Sequence, residues 1–188
     1  MRTAKLVFCG VSTIVALLGR AASAAPGILE QTDVFVAGQD GIFEYRIPGI
    51  VTSNTGTLIA FCDARVNKPG DPPNKIDLVL KRSFDRGRTW APLQRIAQNG
   101  FGAVADSTGI VDRQTGTIWI FSVYAPEGIG SSNSAPGISG PKTFLYKAVK
   151  SDDDGVTWSK PIDQTAMMKH RQKDINWPRK LLLEGHQS

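Results

Sequence analysis

The sequence predicts an all-β chain made of repeated strand-and-turn units, and three observations carry that prediction. Short apolar, β-branched runs alternate with Gly, Pro, Asn and Asp turns. No stretch between residues 25 and 160 holds a 3.6-residue apolar period. One block of the strand-and-turn pattern occurs twice.

The predicted strands run in order along the chain. They are Thr32 to Ala37, Ile47 to Thr52, Thr57 to Cys62, Ile76 to Lys81, Thr117 to Tyr124 and Thr143 to Val149. Within them, Thr55-Gly56-Thr57-Leu58-Ile59-Ala60-Phe61 returns as Thr115-Gly116-Thr117-Ile118-Trp119-Ile120-Phe121. Ser83-Phe84-Asp85-Arg86-Gly87-Arg88-Thr89-Trp90 returns as Ser151-Asp152-Asp153-Asp154-Gly155-Val156-Thr157-Trp158. The second copy is longer, and the Gly, Ser and Pro-rich loop from Pro126 to Pro141 accommodates the difference. A repeat of this size, made of strands and turns, suggests propeller blades. Two similar hairpins of a β-sandwich would leave the same trace.

The length of 188 residues suggests one domain, flanked by two segments of different character. Residues 1–24 read as a secretory signal peptide. Arg2 and Lys5 precede an apolar run from Leu6 to Leu18, and Ala22-Ser23-Ala24 supplies a small-residue cleavage site. The run is too short to span a bilayer, so no stable span is expected after cleavage; a retained N-terminal anchor is the alternative. Cys9 lies in this segment, but Leu6-Val7-Phe8 before it does not fit a lipoprotein signal. Residues 25–166 form the repeated region. From Met167 to Ser188 the strand pattern stops and the chain becomes basic, an atypical tail or altered blade. Two or three blades cannot close a ring, so the sequence reads as an incomplete, inactive domain.

Net charge is +5, yet residues 25–166 hold 14 basic and 15 acidic side chains, a balance of −1. A nucleic-acid partner needs a basic face, and this region offers none. Without Cys9, Cys62 is the one thiol, so no intrachain disulfide is expected. Its apolar neighbours make it a buried small hydrophobe rather than a nucleophile. Export is expected, to the medium or periplasm, a lysosomal lumen being the lesser alternative. No Asn-x-Ser/Thr sequon occurs, which disfavours a glycosylated lumenal protein.

The Ser-x-Asp-x-Gly-x-Thr-Trp element has a structural job. Gly permits the positive φ of a tight turn, and Asp and Ser bond neighbouring amides. Thr and Trp are expected to begin the next strand. Ser83, Asp85, Gly87, Thr89 and Trp90 are therefore assigned to structure, as are Ser151, Asp154, Gly155, Thr157 and Trp158. Asp152-Asp153-Asp154 lacks the alternating ligand spacing of a calcium loop, so no metal is expected.

Both copies of this element resemble the Asp box of sialidases. A more specific resemblance lies in Tyr45-Arg46-Ile47-Pro48, followed by Asp63-Ala64-Arg65, Asp71 and the first Asp box. That order is similar to the start of bacterial and trypanosomal exo-α-sialidase domains, over roughly residues 35–158. The resemblance implies a six-bladed β-propeller, of which the first two to three blades are present. It implies a retaining glycoside hydrolase that releases terminal sialic acid from glycoproteins, glycolipids or oligosaccharides without a cofactor.

The resemblance also implies roles. Arg46 matches the first of three arginines that grip the substrate carboxylate, which suits the paired hydrogen bonds of a guanidinium. Arg65 and Asp106 match residues near the sugar's O4. Asp71, in Gly70-Asp71-Pro72-Pro73, matches the acid/base that protonates the leaving oxygen and then activates water. Asp77 is the rival, ranked lower because it falls inside a predicted strand. The family's nucleophile is a tyrosine activated by glutamate, and neither Tyr124 nor Tyr146 is assigned that role. A non-catalytic carbohydrate-binding propeller is the other reading, although it has no need for the spaced set Arg46, Arg65, Asp71 and Asp106.

Overall fold

The computed structural model describes residues 31–169. The signal-peptide segment at 1–24 and most of the basic tail, 170–188, lie outside the described residues.

Eight strands follow one another: β1 (Glu44–Thr52), β2 (Leu58–Arg65), β3 (Ile76–Ser83), β4 (Gln94–Ala97), β5 (Ala103–Val111), β6 (Ile118–Ala125), β7 (Leu145–Ser151) and β8 (Ile162–Asp163). A single helical turn, α1 (Thr165–Met168), follows. Strands β1 to β4 form one antiparallel meander and β5 to β8 a second. One parallel pairing, Ile76 with Ala103, joins β3 to β5. The all-β expectation is met. The run Thr32 to Ala37 is not a strand. Instead Phe35 packs its ring on Tyr45, with centroids 5.3 Å apart, so its apolar side chain serves packing rather than pairing.

The two meanders share a core. Ile59, Phe61, Leu78 and Leu80 from the first meet Val104, Ile118, Ile120 and Val149 from the second. Phe61 is the tightest point. Its ring lies directly against Gly49 on β1 and Gly109 on β5. A Cβ at Gly109 would sit 2.8 Å from the Phe61 ring, so both positions need the absence of a side chain for this approach.

The two repeated turns make the same bonds. Ser83 Oγ donates to Asp85 at 2.8 Å and accepts the Gly87 N–H at 2.8 Å. Asp85 accepts from the Thr89 N–H at 2.9 Å and the Thr89 hydroxyl at 2.6 Å. In the second copy Ser151 donates to Asp153 at 2.8 Å, and Thr157 donates to Asp153 through its N–H and hydroxyl at 2.8 and 2.5 Å. Each indole N–H, of Trp90 and Trp158, donates to the turn glycine's carbonyl at 3.2 Å.

These bonds correct one assignment. Asp153, not Asp154, stands where Asp85 stands. Asp154 occupies the next position, in the left-handed region at φ 63°. There its carboxylate accepts hydrogen bonds from Thr55 and Thr57 of the first meander, at 2.9 and 2.5 Å. Asp154 thus ties one meander to the other. A second correction concerns Thr and Trp, which lie in the turn; β4 and β8 begin three or more residues later.

Candidate functional site

Alternation along β2 builds the site. Residues two apart in a strand share a face. Ile59 and Phe61 point into the shared core, so Asp63 and Arg65 continue that face toward the strand's end. Both are fully buried, at 0% and 1% exposure. Burial of a charged group needs partners, and for Arg65 the neighbouring loop provides them. Arg65 donates from Nε to the Gly70 carbonyl at 2.9 Å and from Nη2 to Asp71 Oδ1 at 2.5 Å. Glu44 Oε2 lies 3.9 Å from the same guanidinium.

The loop carrying Asp71 is held from beneath. Asn74 Nδ2 donates to the carbonyls of Lys68 and Gly70, at 3.0 and 2.9 Å. Gly130, in the loop between β6 and β7, abuts it from the side. A Cβ there would come within 2.5 Å of the Pro72 carbonyl oxygen. Asp71 itself remains open to solvent, with a side-chain exposure of 64%. Arg46 approaches from β1, its Nη1 3.7 Å from Asp71 Oδ1.

Asp106 arrives from the second meander. Register slips by one residue between Ala105 and Thr108, a β-bulge of the kind found beside functional sites. Asp106 sits in the bulge at φ 52°, and its N–H donates to buried Asp63 Oδ2 at 3.2 Å. The surrounding protein raises the Asp106 carboxyl pKa and the charge of Asp71 adds to it, while Arg65 and Arg46 pull the other way. The four predicted site residues, Arg46, Arg65, Asp71 and Asp106, therefore converge.

Asp77 stands apart. It is fully buried on the opposite face of the first meander, bonded to Arg95 Nε at 3.0 Å and Gln98 at 3.2 Å. That is an ion pair within the first meander, away from Arg46, Arg65 and Asp71. Among the described residues, no group of three or more His, Cys, Asp or Glu side chains could hold a metal ion. Cys62 is buried, and its thiol pKa is raised by desolvation.

The chain's three tyrosines all resist ionisation. Burial pushes Tyr45 and Tyr124 up to about 12 and raises Tyr146, to which the charge of Asp106 adds. A phenol shifted upward is a weak nucleophile.

Sequence reasoning missed Asp63, which it quoted within Asp63-Ala64-Arg65 but gave no role. The signal was present: two positions before Arg65 on a strand means the same face. It also missed Asn74 and Gly130, whose work depends on contacts far along the chain.

No family model matches the sequence. Among curated proteins, a sialidase of Bacteroides fragilis is 35% identical over 161 residues, covering 79% of this chain and 28% of that protein. A sialidase of Micromonospora viridifaciens is 34% identical, covering 80% of this chain and 24% of that protein. The chain thus spans about a quarter of the length of these relatives. Among solved structures, the Hadza microbial sialidase Hz136 superposes with a TM-score of 0.64 at 38% identity, over 69% of this chain and 27% of that one. The leech intramolecular trans-sialidase has the same fold, with a TM-score of 0.68 at 17% identity, over 76% of this chain and 38% of that one.

Proposed function

This chain belongs to the sialidase family, and from that premise we propose that it supplies the first part of an exo-α-sialidase site. In this reading the two meanders are the first two blades of a six-bladed propeller. The observation that carries the proposal is the convergence of Arg46, Arg65, Asp71 and Asp106 from two strands of one meander, its loop and the bulge of the next.

In the proposed chemistry, Arg46 grips the sialic acid carboxylate, where a planar guanidinium gives paired charge-assisted hydrogen bonds. Arg65 and Asp106 take a ring hydroxyl. Asp71 is the acid that protonates the leaving glycosidic oxygen and the base that later activates water, as a retaining mechanism requires. In the unliganded chain Asp71 is paired with Arg65 and lies near Arg46. An incoming carboxylate competes for Arg46 and loosens one of these two contacts. The tyrosine nucleophile and the remaining arginines of the family are assigned to no residue of this chain. Carriage of the whole protein outside the cell is part of the same proposal and rests on residues 1–24. The substrates proposed are sialylated glycoproteins, glycolipids and oligosaccharides.

The test is a ligand-observed NMR titration of the 188-residue chain with free N-acetylneuraminic acid. Weak, saturable binding is expected. Arg46→Lys should weaken it by roughly tenfold, because a point charge cannot reproduce the bidentate geometry. Absence of binding, or equal affinity in the variant, overturns the proposal. A fluorogenic sialoside assay complements it: aglycone release by this chain should not exceed that of Asp71→Ala.

A further inference from the structure

Asp63 is a buried carboxylate for which the proposed chemistry has no use, and it sits where the two meanders meet. It is fully buried, its Oδ2 accepts the Asp106 N–H at 3.2 Å, and its Oδ1 has no hydrogen-bond partner among the described residues. A carboxylate in such a place is retained against its desolvation. Arg65, two residues along on the same face, offsets part of that cost by its charge, though desolvation dominates.

The residue it holds is in an unfavourable conformation. Asp106 has φ 52° in a strand bulge, the left-handed region that most side chains avoid and that Asp visits only occasionally. Such a conformation persists when its surroundings over-determine it. The bulge also sets where the Asp106 side chain goes, since one extra residue re-aims everything at that point of the strand. The second meander lacks an equivalent of Asp63. Phe61 and Phe121 hold matching registers, so the position of Asp63 on β2 corresponds to Val123 on β6. The carboxylate is placed once, beneath the bulge that carries Asp106.

We infer that Asp63 is a positioning residue for Asp106, its carboxylate accepting the Asp106 backbone N–H across the two meanders and so directing the Asp106 side chain to Arg46, Arg65 and Asp71. The consequence for function rests on the proposed role of Asp106 in binding the sugar's O4 hydroxyl.

The test uses the 188-residue chain, titrated by ligand-observed NMR with N-acetylneuraminic acid and with its 4-deoxy analogue. Wild type should prefer the hydroxylated sugar by roughly tenfold, the effect of one hydrogen bond to a charged group. Asp63→Asn keeps an acceptor for the Asp106 N–H and should keep the preference. Asp63→Val copies the second meander and should lose it while still binding the 4-deoxy sugar through Arg46. A lone packing role would lower the melting temperature of both variants and leave the preference of each intact, which overturns the inference. Amide hydrogen exchange at Asp106 decides the matter separately. Protection in wild type and in Asp63→Asn supports the inference, even if Asp63→Val fails to fold. Exchange at the rate of an open loop in wild type overturns it. If wild type binds both sugars equally, the hydroxyl role of Asp106 falls, and the exchange rates alone judge the hold of Asp63 on the bulge.

Discussion

The two meanders agree bond for bond at one end and disagree at the other. At the turn end, Ser83, Asp85, Thr89 and Trp90 make the hydrogen bonds that Ser151, Asp153, Thr157 and Trp158 repeat. At the opposite end, β2 closes with Asp63-Ala64-Arg65 where β6 closes with Val123-Tyr124-Ala125. Even the bulges match: Ile47 on β1 and Asp106 on β5 hold the same register position, at φ 53° and 52°. Backbone is kept in both units, while the charged strand end of β2 has an uncharged counterpart on β6. The difference teaches that the repeat is a scaffold, and that the departures from it mark the candidate site.

The largest expected effect tests the scaffold where the units meet. Phe61 is 2% exposed and wedged between two glycines, whereas its counterpart Phe121 is half-buried and stacks on Trp119. Phe61→Ala should destabilise by about 3–5 kcal/mol, the usual range for emptying a buried aromatic site. Phe121→Ala should lose clearly less. Denaturant unfolding with both variants makes the measurement, and equal losses would show that the core is not shared as described.

The next effect separates the two ends by pH. Burial lifts the Asp63 carboxyl from 3.8 to about 7. The folded chain then binds that proton more tightly than the unfolded chain, so this group's contribution to stability falls as pH rises from about 4 to about 7. The effect is on the order of a few kcal/mol. Asp85 and Asp153 act in the opposite sense. Their hydrogen bonds from threonine lower each to about 2, so their contribution is present above about 4 and is lost as pH falls toward 2. Stability should therefore peak near pH 4, and Asp63→Asn should flatten the decline above it while leaving the acid limb unchanged. An unaltered upper limb in that variant would remove Asp63 as its cause.

Much of this was legible in the sequence, for definable reasons. Strands rich in Ile and Val announced themselves, and the spacing of Gly and Asp announced the turns. The convergence of Arg46, Arg65, Asp71 and Asp106 was implied by resemblance, while their distances needed the fold. Strand β5 escaped because Ala103-Val104-Ala105-Asp106-Ser107-Thr108-Gly109 is dominated by small residues. Gly109 answers to the Phe61 ring of the other meander, and Ala103 and Ala105 pack with Ile76 and Ala125, contacts made across the fold. Asp63 escaped because its partner is a backbone N–H forty-three residues away. The assignment of Asp154 in place of Asp153 is a miscount among three successive aspartates: the spacing of the repeat sets Asp153 opposite Asp85, and the hydrogen bonds agree.

The smallest expected effect lies in that aspartate run. Asp85→Ala and Asp153→Ala each remove the acceptor that organises one turn, so their losses in melting temperature should be similar to each other. Asp154→Ala removes no side-chain hydrogen bond within its own turn, although Ala fits φ 63° less well than Asp. It frees the hydroxyls of Thr55 and Thr57, which reach it from the other meander. Those hydroxyls can turn to each other or to Ser53, since Thr55 lies 3.3 Å from Thr57 and 2.9 Å from Ser53. The loss should therefore be about 1 kcal/mol, the net value of an exchangeable hydrogen bond. A double variant decides whether Asp154 works within its turn or between the units. If it works between them, Asp154→Ala combined with Thr57→Val should cost less than the sum of the single changes, because Asp154→Ala already removes the Thr57 bond along with that of Thr55. Strict additivity would mean that Asp154 acts within its own turn, leaving contacts such as the apolar core, the pairing of Ile76 with Ala103 and the bond between Asp63 and Asp106 to join the two meanders.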